Sequence, residues 1–404
     1  MLRKSLNITE QPKFDHSIAR KEFTKVLPFT NSFKNNDVIN LTLNSNSENL
    51  FLPAQSEILI ETTFTKTDGT AFAAAEAPSF IAGSILFAFQ SISYSLNGVE
   101  IDRCKNLGQS VMLKAFSSYT DNEMKGLTGA GFKKQAYKQN ANFSIPVKTL
   151  FGLFETFDKP IIAGRHQFIL VRSKSDENCF KCDNADTTFK FEITKVSLMA
   201  CQITLSDAYK LKYYDIINAK KDLIMPFRSW EMIEVPELTA TTHQIIPIKT
   251  STLVETPRFL IIGFQTARDG VKTKTSSYFD HISLEEIKVH LNNVTTEALD
   301  IDFDKDKYQI LYNNFSQFRA NYYQIASEIL PTPSMSYEEF KSNTIIVLDT
   351  QYQPDSITPL STVDVKIEFR TKVAIPAKTS LFCLILSDRI FKYTPLTGQV
   401  LKLS

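Results

Sequence analysis

Cys179 and Cys182 stand two residues apart, the spacing at which paired thiolates hold one side of a structural zinc ion. A closed site needs four ligands, and no second Cys or His pair lies nearby, so the pair reads as two free thiols in a loop. His166, His243, His281 and His290 are scattered, with no H-x-H of the kind that gathers a metal inside a β-barrel enzyme. Asp280-His281 reads as a turn pair rather than a catalytic dyad. Asp300, Asp302, Asp304 and Asp306 alternate, which would suit calcium, but the segment lacks the Gly and the closing Glu of a calcium loop. Ile301, Phe303 and Lys305 between them fit an amphipathic strand entering a capped helix. No nucleophile elbow, phosphate loop or dinucleotide fingerprint is present. The expectation is a protein without catalytic residues, cofactor or metal.

The residues that do form a pattern belong to Ser91–Tyr119. Ile92, Tyr94 and Leu96 alternate with Ser91, Ser93 and Ser95, the period of a half-buried strand. Asn97-Gly98 marks a two-residue hairpin, because both central residues of a type I′ turn need positive φ. Val99, Ile101 and Arg103 lead back, and Val111, Leu113, Ala115 and Phe116 then recur at helical spacing. The unit returns nearly half a chain later. There Ile287, Val289 and Leu291 precede Asn292-Asn293. Leu299–Phe303 leads into a helix carrying Tyr308, Leu311, Tyr312, Phe315, Phe318 and Tyr322. Such a repeat predicts two similar domains in tandem.

Composition agrees. A chain of 404 residues exceeds one ordinary core, and two domains of about 200 residues fit the usual range. The 45 basic and 44 acidic residues leave no global field for non-specific nucleic-acid binding. Phe 31 and Tyr 14 against one Trp lean toward β structure. The N-terminal residues lack the apolar core of a signal peptide, and apolar runs such as Phe259–Phe264 and Leu381–Leu386 are strand-sized. With five cysteines, these features predict synthesis in a reducing cytosol.

Residues 1–30 read as an arm: poor in apolar periodicity, with Arg3, Lys4, Lys13, Arg20, Lys21 and Lys25 against Glu10, Asp15 and Glu22. Residues 31–205 form the first domain. In it, alternating strands are expected from Val38, Glu57, Phe143, Pro160 and Thr188, and the Gly-punctuated 120–142 stretch as a long surface loop. Residues 206–222 read as a linker helix capped by Ser206-Asp207, with Leu211, Tyr214 and Ile217 on one face. Residues 223–404 repeat the style of the first half. Each half offers about eight short strands with one or two inserted helices. The predicted fold class is therefore all-β, two tandem eight-stranded antiparallel jelly rolls.

Several segments carry a family resemblance. They are Asn35-Asn-Asp-Val-Ile39, Tyr94-Ser-Leu-Asn-Gly-Val-Glu-Ile-Asp-Arg103, Pro226-Phe-Arg-Ser-Trp230, Phe279-Asp-His281, Leu299-Asp-Ile-Asp-Phe-Asp304, Thr362-Val-Asp-Val-Lys-Ile-Glu-Phe369 and Ser387-Asp-Arg389. In order and spacing the chain resembles the double-jelly-roll major capsid proteins of Polinton-like and adintovirus-like elements, relatives of the tectivirus and adenovirus capsid lineage. The positions that carry the match, expected to be structural, are Leu96, Asn97, Gly98, Asp102, Arg103, Phe227, Arg228, Trp230, Asp280, His281, Asp302, Asp304, Asp388 and Arg389.

The resemblance implies a homotrimer whose six lobes form a pseudo-hexameric capsomer, tiling an icosahedral shell around a double-stranded DNA genome. The expected partners are the chain itself, neighbouring trimers and a separate vertex (penton) protein, with the arm beneath the capsomer touching neighbours, an internal membrane or packaged DNA. The 120–142 and 268–278 segments are expected as outer or inter-subunit loops. The residues alone leave a second class open, a non-catalytic β-sandwich that binds a ligand or carbohydrate as a monomer or dimer.

Overall fold

In the computed structural model, the structure describes residues 17–403 apart from 47, 74–75, 220, 249–256, 293, 297–298, 326–331 and 352–362. Among the described residues, sixteen strands form the two pairs of main sheets. The first eight are β1 (Ile18–Val26), β2 (Val38–Ser45), β3 (Glu57–Thr65), β4 (Phe89–Leu96), β5 (Val99–Lys105), β6 (Asn140–Pro146), β7 (Gly164–Arg172) and β8 (Lys190–Leu205). The second eight are β9 (Leu223–Val235), β10 (His243–Ile248), β11 (Pro257–Thr266), β12 (Leu284–Leu291), β13 (Val294–Thr295), β14 (Ile346–Asp349), β15 (Val365–Thr371) and β16 (Thr379–Thr394).

The sheet orders are β1-β8-β3-β6 with β2-β7-β4-β5, and β9-β16-β11-β14 with β10-β15-β12-β13. Counted within each set of eight, both halves have the same pair of orders, 1-8-3-6 and 2-7-4-5. Every pairing is antiparallel. Two jelly rolls of identical topology follow from this, as the sequence pattern predicts. Short pairs at Leu50–Phe51, Leu299–Asp300 and Gln399–Lys402 extend the sheets; the last folds the C-terminal segment back on β16.

The local signals hold where they are strongest. Asn97 and Gly98 have φ of 52° and 84°, the left-handed turn their identity predicts between β4 and β5. Asn292 repeats the geometry with φ 52°, while Asn293 lies outside the described residues. In each half a helix follows the fifth strand. After the small helix α1 (Ser84–Phe87), these are α2 (Leu107–Ser118) with α3 (Asp121–Gly126) in the first half. After α4 (Gly152–Thr156) and α5 (Asp207–Asn218), they are α6 (Gln309–Tyr323) with α7 (Tyr337–Ser342) in the second. On α6, Leu311, Phe315, Phe318 and Tyr322 form the buried stripe.

Four expectations need correction. Residues 18–26, assigned from sequence to an arm, form β1, the first strand of the first jelly roll, paired along β8 from Leu205 to Leu198. Residues 1–16 lie outside the described residues. The 120–142 stretch is no long surface loop: a capping box between Thr120 and Glu123 starts α3, and Phe132 is fully buried. From Ile92 to Leu96, β4 is buried on both faces rather than half-buried, Ser93 and Ser95 included, and α2 packs against β4 and β5. On α5, Ser206 occupies the cap position without a side-chain bond. Tyr213 and Ile217 are the residues that pack there, while Leu211 and Tyr214 stay exposed.

Candidate functional site

The described residues bring no catalytic constellation together, and no group of three or more His, Cys, Asp or Glu among them is placed to hold a metal. Cys179 and Cys182 are free and buried, as are Cys104, Cys201 and Cys383. Asp302 accepts hydrogen bonds from the Asp304 and Lys305 amides at 3.0 and 3.2 Å, while Asp304 pairs with Lys372 at 2.5 Å. The aspartate row is thus a turn closed by lysines. Asp280 takes the Thr266 amide at 2.8 Å and the Arg268 guanidinium. His281 stacks on Phe303, and its Nδ1 accepts from the Ser283 amide. Burial lowers its pKa. His166 is sealed between Tyr94 and Ser45 at 2.9 Å each, and burial pushes its pKa down to about 3. His243 and His290 meet Glu368 from two neighbouring strands at 3.0 and 2.8 Å. Burial would raise the pKa of Glu368. Hydrogen bonds from the two histidines and Lys288 outweigh it and hold the carboxyl at about 2.

The arrangement that does gather residues from distant parts of the chain is the seam between the jelly rolls. The first half contributes β5, α2 and α4; the second contributes β9, β16, β11 and α6. Its centre is Lys114 of α2, 1 % exposed, paired with Glu155 of α4 at 2.9 Å. The ammonium lies 4.1 Å from the Tyr322 ring centre and 4.8 Å from that of Trp230. Tyr322 donates to Glu155 at 2.7 Å, Tyr323 donates to the same carboxylate, and the Trp230 indole donates to the Tyr322 hydroxyl at 3.3 Å. An unpaired buried charge would cost several kcal/mol, so these partners are what allow Lys114 to sit there. Burial pulls the Lys114 pKa down, and Glu155 opposes that shift.

Around this centre the seam is close-fitting. A Cβ on Gly152 would fall 1.8 Å from the Arg228 carbonyl oxygen, so the backbones of α4 and β9 approach as only glycine permits. Arg228 donates to the Tyr322 carbonyl at 2.7 Å, and Asp388 lies between Arg228 and Arg258 at 3.4 and 2.9 Å. Asp102 is buried on β5, accepts from the Leu153 amide at 3.1 Å, and is raised by burial to about 6. Arg389, whose charge opposes that rise, pairs with Glu231 at 3.4 Å. Phe227 stacks on Phe391 behind them. Further along, Asn97 accepts from the Arg165 amide and donates to the Gly398 carbonyl, both at 2.8 Å, while Leu96 is buried against Gly164. Arg103 pairs locally with Glu100 at the surface.

Of the motif residues, then, Asn97, Asp102, Arg228, Trp230, Asp388 and Arg389 meet at or beside the seam, while Asp280, His281, Asp302 and Asp304 do not. The 268–278 segment also engages the first half: Asp269 bonds Lys174 and Asn178, and the Cys182 amide bonds the Lys272 carbonyl. Sequence reasoning passed over Lys114, Glu155 and Tyr323. The available signal was a single lysine inside VMLKAF, an otherwise apolar helical run.

With this geometry in view, the comparisons are consistent. Residues 80–391 match the model of the double jelly roll-like domain. The fold is similar to that in the Sputnik virophage structure (TM-score 0.64, 10% identity, covering 100% of this chain and 92% of that chain). It is similar to the PBCV-1 virus capsid protein (0.63, 9%, 98% and 99%) and to the mavirus major capsid protein (0.55, 12%, 99% and 93%). No curated protein matches in sequence.

Proposed function

The chain belongs to the double jelly roll-like domain family, and from that premise we propose that it is the major capsid protein of a double-stranded DNA virus of the Polinton-like lineage. It acts as a homotrimer whose six lobes make a pseudo-hexameric capsomer of an icosahedral shell. The likeness to capsid structures from other viruses supports the reading.

The observation that carries it is a difference between two equivalent strands. β9 opens the second jelly roll as β1 opens the first, at the same edge of the same sheet. Inside the chain, β9 is covered by β5 and α4 of the first jelly roll, which bury Trp230 and Met232. Among the described residues β1 has no such cover: none of its residues is fully buried, and Phe23 is 52 % exposed. Two jelly rolls of one topology place their opening strands at the same edge, one covered within the chain and one exposed among the described residues. Repeating the internal contact between chains covers β1 with the second jelly roll of a neighbour. Such head-to-tail contacts close into a ring, and three chains give six lobes. Obligate interfaces of this kind bury about 2,000 Å² or more.

In this reading the further partners are neighbouring trimers and, for the N-terminal arm, an internal membrane or packaged DNA. A separate protein occupies the vertices, and assembly follows synthesis in the host cytosol. The test is the solution mass of the purified chain by light scattering after gel filtration. Three chain masses, alone or with very large particles, are expected. A monomer at high concentration would overturn the capsomer reading and favour a monomeric binding module.

A further inference from the structure

The chain enters β12 through a turn that ordinary side chains avoid. Ile282 and Ser283 stand in succession at φ of 42° and 52°. Both lie in the left-handed region, where a side chain crowds the backbone and a β-branched one crowds it most. Neither is a glycine, so the surroundings must hold the pair in place. The Ile282 side chain is buried in the core. The Leu284 amide donates to the His281 carbonyl at 3.0 Å, and the Lys372 amide to the Ser283 carbonyl at 2.9 Å. The Ser283 amide donates to Nδ1 of His281 at 3.0 Å. Asn and Asp side chains commonly bond the amide two residues on in this way. Here an imidazole does so, and an imidazole accepts at that nitrogen only while it is unprotonated.

The ring is fixed where it stands. His281 stacks on Phe303 with centres 4.7 Å apart, Phe303 on Tyr308 at 5.1 Å, and Tyr308 on Tyr337 at 4.4 Å. This column of four rings runs from the entry of β12 to the cap residue of α6 and the first residue of α7. Nδ1 therefore stays beside the Ser283 amide. His281 is only partly buried, so protons from solvent reach it.

We propose that His281 is a proton-operated latch on this turn. Neutral, it accepts from the Ser283 amide and keeps the left-handed turn closed. When Nδ1 takes a proton from solvent, two N–H groups face each other and the turn relaxes at the entry to β12. The surroundings set the direction. Burial disfavours the charged ring and Lys341 of α7 adds to this, against Asp280 on the same segment and Asp304 beside Phe303. Lys372, across from Ser283, is engaged with Asp304 and Asp302. The latch is thus closed above the ordinary imidazole range and opens as pH falls below it. It acts within one chain and stands whether or not the chain forms capsomers.

The test is amide hydrogen exchange of the full chain, read by mass spectrometry on peptides spanning residues 279–286 between pH 7.5 and 4.5, with the intrinsic pH dependence of exchange divided out. Protection there is expected to fall at least tenfold toward the acid end, while peptides from β16 keep theirs. His281→Asn supplies an oxygen that accepts from the Ser283 amide at every pH and is expected to remove the response. It retains Asp280, Asp304 and Lys341, so a fall caused by those groups would persist in it. His281→Ala, with no acceptor, is expected to be poorly protected at every pH. Constant protection of the native chain overturns the inference. So does the same fall in His281→Asn, or native protection of His281→Ala at neutral pH.

Discussion

Lys114 and Glu155 form an ion pair at 2.9 Å in the seam between the two jelly rolls, and the hydroxyls of Tyr322 and Tyr323 point at the same carboxylate. The lysine comes from α2, the glutamate from α4 and the tyrosines from α6, so one buried charge pair joins both halves. The partners are not equivalent. Without Glu155 the ammonium keeps only the Ser118 hydroxyl at 3.0 Å and the aromatic faces. Without Lys114 the carboxylate keeps two phenol donors.

Glu155→Ala is therefore expected to cost about 3–5 kcal/mol, the usual effect of stranding a buried charge. Lys114→Met, which fills similar volume, is expected to cost less. Chemical denaturation of the two variants checks the order. Equal losses would mean that the tyrosines do not hold the carboxylate.

Trp230 is the single tryptophan, so its fluorescence reports on the seam alone. Gly152→Ala places a methyl group 1.8 Å from the Arg228 carbonyl oxygen and 3.2 Å from the Trp230 indole nitrogen. The variant is expected to shift the emission to longer wavelength and lower the melting temperature. Trp230→Ala is expected to lose about 3–5 kcal/mol. Unchanged emission in Gly152→Ala would mean that the halves separate there without strain.

Two buried groups bend stability with pH in opposite senses. His166 is lowered from 6.5 to about 3, so the unfolded chain takes up its proton first; its contribution is complete above pH 6.5 and is lost as pH falls toward 3. Asp102 is raised from 3.8 to about 6, so the folded state holds the proton longer; its contribution is complete below pH 3.8 and is lost as pH rises through 6. Asp102→Asn keeps an acceptor for the Leu153 amide and is expected to raise the melting temperature above pH 6, with a smaller gain near pH 4. His166→Gln is expected to flatten the acid side of the profile. Melting temperatures between pH 4 and 8 check both.

The position of β1 decides what can be removed from the N-terminus. Deleting residues 1–16 is expected to leave the melting temperature unchanged. Deleting residues 1–28 removes β1 and exposes the edge of β8 along Leu198–Leu205, so insoluble protein is expected. A soluble, native-like product of the longer deletion would show that β1 is dispensable to the first jelly roll.

What was legible in the sequence was local. The Asn97-Gly98 turn, the alternation in β4 and the helical stripe from Tyr308 to Tyr322 each depend on neighbours a few residues away, and their recurrence gave the tandem architecture. β1 was not legible as a strand of the fold. A strand declares itself by one apolar face, and in IARKEFTKV only Glu22 and Val26 are even partly buried among the described residues.

The aspartate row closes on Lys305, Lys307 and Lys372, and Cys179 and Cys182 are buried. The motif segments marked positions whose spatial grouping was invisible, since Asp102, Arg228, Trp230 and Arg389 lie on strands far apart in sequence. By itself, then, the sequence determined the fold class, because hydrogen-bonded turns and side-chain periodicity act over short range. Only the tertiary structure decided where the halves join and which edge stays open. A buried ion pair such as Lys114–Glu155, or a glycine facing another backbone as Gly152 does, acquires meaning only from the surface brought against it.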